Sequence, residues 1–114
     1  MIEELEYSTV LDAVNRGDEK AKTQIAWFLL SGKGGVEKDP DEAVALLEER
    51  VKDRDDEAMW MLGICKEYGI GTEKNKNEAK SLYEQSIQNG NDTALLLVSL
   101  KTFRDGSTQD RLCQ

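Results

Sequence analysis

One stretch of this chain recurs 36 residues later, and no other feature limits the fold as much. Val36-Glu37-Lys38-Asp39-Pro40-Asp41-Glu42-Ala43 is answered by Thr72-Glu73-Lys74-Asn75-Lys76-Asn77-Glu78-Ala79. At the same offset Gly35 meets Gly71, Leu46 meets Leu82, Leu47 meets Tyr83, Val51 meets Ile87, Asp56 meets Asp92, Ala58 meets Ala94 and Leu62 meets Val98. A unit this short cannot bury its own apolar face, so successive units must stack on one another. Each unit reads as helix, glycine turn, helix. Asp39 is suited to an N-cap, with Pro40 at the first helical position and Glu42 three residues past the cap; Asn75 and Glu78 repeat the pair. Gly32, Gly34 and Gly35 end one helix, and Gly69 and Gly71 end its counterpart. The pattern predicts an all-α chain of six antiparallel helices near 2–16, 18–31, 40–53, 56–68, 76–89 and 92–104. A polar tail follows over 106–114.

The second unit runs Ala58-x3-Leu62-Gly63-x5-Gly69-x-Gly71-Thr72-x2-Asn75-x3-Ala79-x3-Tyr83, then Gly90 and Ala94. This resembles the Sel1-like repeat, a relative of the tetratricopeptide repeat, over roughly residues 6–105. The resemblance implies a right-handed α-α superhelix, or solenoid, of the kind that scaffolds protein complexes. It divides residues 1–105 into a half unit at 2–17, full units near 18–54 and 55–90, and a half unit at 91–105. The first unit departs from the pattern: Ala26 stands where the family has glycine, and its glycine turn is one residue longer.

Helical spacing assigns faces. Ala58, Met61, Leu62 and Cys65 share one side of their helix and are expected in the core, while Trp60, Ile64 and Glu67 fall opposite. The matching positions are Thr23, Trp27 and Leu30 in the unit before and Leu96, Leu100 and Phe103 in the one after. A helix apolar all round is buried on both sides or presents a binding surface. The stripe of Trp27, Leu30, Trp60, Ile64, Leu96, Leu100 and Phe103, rimmed by Glu57 and Glu67, thus reads as a concave partner-binding face or as ordinary packing. The two are separable: on the first reading, Trp60→Glu with Leu100→Glu abolishes binding and spares the melt. The last helix has no partner after it, leaving a flank near Leu97 and Val98 for the tail, a second copy or another protein to cover.

Composition closes off other classes. A net charge of −8 disfavours nucleic acid and anionic membranes and suits a ligand with basic flanks. Histidine is absent, removing the commonest general base and metal ligand. Cys65 and Cys113 lack metal or redox spacing and point to a reducing, cytoplasmic setting. Glu3, Glu4 and Glu6 in a segment without a long apolar run argue against a signal peptide, and Met1 with the short tail suits a whole chain. Gly32-Lys33-Gly34-Gly35 follows a helix and lacks the Ser/Thr of a phosphate loop. The run Asp53, Asp55, Asp56 and Glu57 lacks the spacing of a calcium loop. No catalytic residue, cofactor or metal site is expected. The expected function is a non-catalytic adaptor that binds a peptide or helix, with self-assembly through the last half unit as the alternative.

Overall fold

The computed structural model describes residues 7–105, with side chains as far as Leu100. The chain forms α1 (Tyr7–Asn15), α2 (Ala21–Ser31), α3 (Pro40–Lys52), α4 (Asp56–Tyr68), α5 (Lys76–Gln88) and α6 (Asp92–Asp105). Every helix packs on the next, and α2 also touches α4. The stack is elongated, 53 × 30 × 24 Å, as a solenoid requires.

The local signals act where the sequence puts them. The Asp39 carboxylate accepts from the Glu42 N–H at 3.2 Å. Asn75 accepts from the Glu78 N–H at 3.1 Å and donates back to the Glu78 carboxylate at 2.8 Å, which closes the capping box. Gly32 and Gly69 adopt left-handed conformations, φ 75° and 71°, that end α2 and α4. α2 starts at Ala21, later than the spacing predicts, because residues 18–20 form a tighter turn in which the Ala21, Lys22 and Thr23 amides bond three residues back.

The structure also locates the extra residue of the first unit. Asp39 N–H donates to the Leu29 carbonyl and Asn75 N–H to the Lys66 carbonyl, so the donors are 36 residues apart and the acceptors 37. The inserted residue therefore lies between positions 30 and 38. Gly34 and Gly71 both sit tightly against a neighbour, whereas a Cβ on Gly35 would meet nothing within 4 Å, which makes Gly34 the counterpart of Gly71 and Gly35 the insertion. A Cβ on Gly71 would lie 2.4 Å from the Pro40 carbonyl oxygen, and one on Gly34 would lie 2.8 Å from the Phe28 ring.

The core runs the length of the stack through Val10, Ile25, Ala26, Leu29, Val44, Leu47, Ala58, Met61, Leu62, Cys65 and Leu82. Ala21, Ala58 and Ala94 hold one repeat position and are all buried. Small and large residues trade between units. A Cβ on Gly63 would fall 2.7 Å from the Tyr83 ring, so the glycine makes room for the tyrosine. In the preceding pair those positions are Ala26 and Leu47, both fully buried, where the smaller Leu47 leaves space for a methyl group.

Candidate functional site

α2 and α4 are held side by side through their first turns. Asp55 caps α4 by accepting from the Glu57 and Ala58 amides at 3.0 and 3.4 Å. Its other oxygen accepts from the Thr23 hydroxyl at 2.6 Å and from Arg50 Nε at 3.3 Å. Thr23, Arg50 and Asp55 are all buried. Burial works against the Asp55 charge. The bonds from Thr23, the Ala58 amide and Arg50 outweigh it and hold the carboxyl below its ordinary value.

Beside this joint lies a groove of about 1110 Å³. Its walls include Thr23, Gln24, Trp27 and Phe28 of α2, Asp56, Glu57, Trp60 and Met61 of α4, and Tyr7 at the start of α1. Phe28 is the hub of an aromatic cluster, edge-to-face with Trp27 at 5.1 Å and with Tyr7 at 6.3 Å between ring centres. Tyr7 is tied to the glycine turn by its amide, which donates to the Gly34 carbonyl at 2.9 Å. Trp27 is 42% exposed, and Lys33 Nζ stands 5.9 Å from its ring centre. Trp60 is half-buried against the core, and its indole N–H is buried without a hydrogen-bond partner among the described residues. Glu57 is exposed, yet desolvation and the charges of Asp55 and Asp56 raise its pKa.

Of the residues the sequence places on the partner-binding stripe, the groove brings together Trp27 and Trp60. Leu30 is half-buried and packs on the core. Ile64 is half-buried outside the groove lining. Leu96 and Leu100 are 59% and 51% exposed on α6. The Phe103 side chain lies outside the described residues, as does the 106–114 tail. Glu67 requires a correction. It is not a rim carboxylate but a buried one, 4% exposed, accepting from the Tyr83 hydroxyl at 2.7 Å. Burial and that bond raise the Tyr83 pKa. Trp60 also packs on the core, so Trp60→Glu tests folding together with binding. On α6 the bare residues are Leu95, Leu96 and Leu100, while Leu97 and Val98 are half-buried.

Sequence spacing placed Thr23 on the face of Trp27 but missed its link to Arg50 and Asp55, which frames the groove. The available signal was Asp55 recurring as Asn91, each three residues before a repeat alanine. Cys65 is buried, which pushes its thiol up to about 11. Among the described residues, no group of three or more histidine, cysteine, aspartate or glutamate side chains is placed to hold a metal ion. Nor is any described helix long and apolar enough to cross a membrane.

Comparison with known proteins agrees with this architecture. A family model described as Sel1 repeat matches residues 20–49 and 56–91. Among solved structures, a Sel1 repeat protein from Oxalobacter formigenes superposes with a TM-score of 0.72 at 31% identity, over 82% of this chain and 37% of that one. This chain thus spans little more than a third of that protein. The protective antigen c5321 of uropathogenic Escherichia coli, described as displaying an SLR fold, gives 0.65 at 20% identity, over 77% of this chain and 19% of that one. Helicobacter pylori cysteine rich protein B gives 0.66 at 21% identity, over 80% and 68%. The last two identities speak to fold alone. No curated protein matches the chain.

Proposed function

Because the chain belongs to the Sel1 repeat family, whose members are in general protein-interaction scaffolds, we propose that it is a non-catalytic adaptor whose groove between α2 and α4 binds a segment of a partner protein. The observation that carries this reading is the groove itself, about 1110 Å³ and walled by Trp27, Trp60, Phe28 and Tyr7, with an exposed tryptophan at its mouth. Tryptophan is enriched among residues that dominate binding energy, and an open aromatic surface on a small acidic protein suits a peptide or a helix with basic flanks. A cytoplasmic, reducing setting fits a buried Cys65 thiol. Nucleic acid and anionic membranes are poor partners for a net charge of −8.

The test is affinity capture from an extract of the source cells with wild-type protein beside Trp27→Glu. Trp27 is chosen because its exposure lets it change with little loss of stability. A partner retained by wild type and lost by a variant of equal melting temperature supports the groove. An unchanged or empty set of captured proteins overturns it. A second reading, self-association, is favoured by Leu95, Leu96 and Leu100, which are 49%, 59% and 51% exposed on α6 and would be covered by a second copy. Light scattering over a concentration series tests it; a monomer at every concentration removes it.

A further inference from the structure

We propose that the segment taken by the groove carries a single lysine or arginine set among apolar residues, and that Glu57 receives its cation. The proposal rests on the groove reading above and adds the chemistry of the occupant. Three carboxylates gather at the start of α4, and two are already engaged. Asp55 is enclosed by Thr23, Arg50 and two backbone amides. Asp56 accepts from Asn91 Nδ2 at 2.7 Å. Glu57 lines the groove, and nothing shown among the described residues pairs with its carboxylate; its charged neighbours, Asp55 and Asp56, both repel it. An incoming cation relieves that repulsion and makes good the desolvation.

Two independent features of the groove point to the same ligand. Lys33 Nζ already stands over the Trp27 ring, so the aromatic wall accepts a cation. Trp60 is three residues beyond Glu57 on the same side of α4 and also lines the groove, so a cation held by Glu57 has a second aromatic ring beside it. Lys20 and Lys33 also line the groove and limit how much positive charge it takes. Their like charge opposes a polybasic tract and leaves room for one cation at the Glu57 end, with aliphatic or aromatic neighbours against Trp27 and Phe28.

Both tryptophans of the chain line the groove, so intrinsic fluorescence reports its occupancy directly. The probes are three acetylated, amidated hexapeptides of leucine and alanine that differ at one central position, which is arginine, glutamine or glutamate. The arginine peptide is expected to shift the emission and to bind about tenfold more tightly than the glutamine peptide, the equivalent of about 1.4 kcal/mol. Glu57→Gln should erase that difference, and Glu57→Lys should transfer the preference to the glutamate peptide. If arginine and glutamine peptides bind wild type equally, or if Glu57→Gln keeps the arginine preference, the assignment of Glu57 is overturned and the groove reading stands. If none of the peptides moves the fluorescence and Trp27→Glu captures the same proteins as wild type, both readings fall.

Discussion

The stack is stitched twice between successive first helices, once through a buried ion pair and once without one. At the joint of α2 with α4, the capping residue is Asp55, which reaches back to Thr23 and takes Arg50 Nε at 3.3 Å. At the joint of α4 with α6, the residue 36 positions on is Asn91. It caps α6 by accepting from the Ala94 amide at 2.8 Å and reaches back to Asp56 at 2.7 Å. Arg50 is matched by Ser86, whose hydroxyl donates to the Asp56 carbonyl at 2.7 Å. The geometry is the same in both: the cap of one helix grips the start of the one before. Only the charged version leaves an ion pair in the interior, and only it stands beside the groove. A buried ion pair is a weak stabiliser in itself but a costly one to break, since removing one partner strands the other.

That asymmetry sets the largest expected effect. Asp55→Ala removes the α4 cap and the inner of the two carboxylates held by the buried Arg50, which keeps Asp53 at 3.0 Å, and should cost roughly 3 kcal/mol. Asn91→Ala removes a cap and a hydrogen bond to the Asp56 carboxylate but breaks no ion pair, and should cost about 2 kcal/mol. Urea denaturation of the two variants ranks the joints; equal losses would erase the distinction between them.

Transplanting the Asn91 and Ser86 side chains sharpens the comparison. Asp55→Asn keeps a capping side chain but leaves Arg50 without its inward charge, at a cost of about 2 kcal/mol. Adding Arg50→Ser reproduces the Asn91–Ser86 arrangement at the first joint and should recover at least half of that loss. A double variant no more stable than Asp55→Asn alone would show that the stability of the charged joint lies elsewhere.

The joints should also part in acid. The Asp55 carboxyl lies below its ordinary value of 3.8 in the folded protein. Its contribution to stability is therefore complete above that value and is lost as pH falls through the folded pKa. Wild type should lose stability below pH 3.8 more steeply than the Asp55→Asn/Arg50→Ser variant. Parallel acid limbs in denaturation at several pH values would count against the ion pair as the source.

The sequence carries much of this plan and omits its most specific parts for a physical reason. Caps, turns and repeat positions are local, so Asp39, Asn75, Gly32 and Gly69 mark helix ends without any knowledge of packing. The long glycine run hides which residue is inserted, because Gly34 and Gly35 are chemically identical; the backbone bonds from Asp39 and Asn75 bracket the insertion, and only the close packing at Gly34 separates the two. Spacing places Trp27 and Trp60 on related faces, and the groove unites them. It also turns Glu67 outward, whereas the Tyr83 hydroxyl draws that carboxylate inside. Periodicity gives a direction along one helix and says nothing of what stands opposite. The Thr23–Asp55 contact spans 32 residues between polar side chains and leaves no apolar stripe to read.

The smallest expected effect has the opposite sign to the others. Glu57 has its pKa raised by desolvation and by Asp55 and Asp56, so its charged form opposes folding. For a carboxyl held above its ordinary value of 4.5, the favourable contribution is present below that value and disappears as pH rises through the folded pKa. Glu57→Gln should therefore melt slightly above wild type at neutral pH, and the gain should fade in acid below pH 4.5. Exposure keeps the effect small, because water screens the repulsion. Scanning calorimetry at neutral and acid pH decides the point: a variant that melts below wild type at neutral pH would make Glu57 a structural residue and deprive the groove of its cation seat.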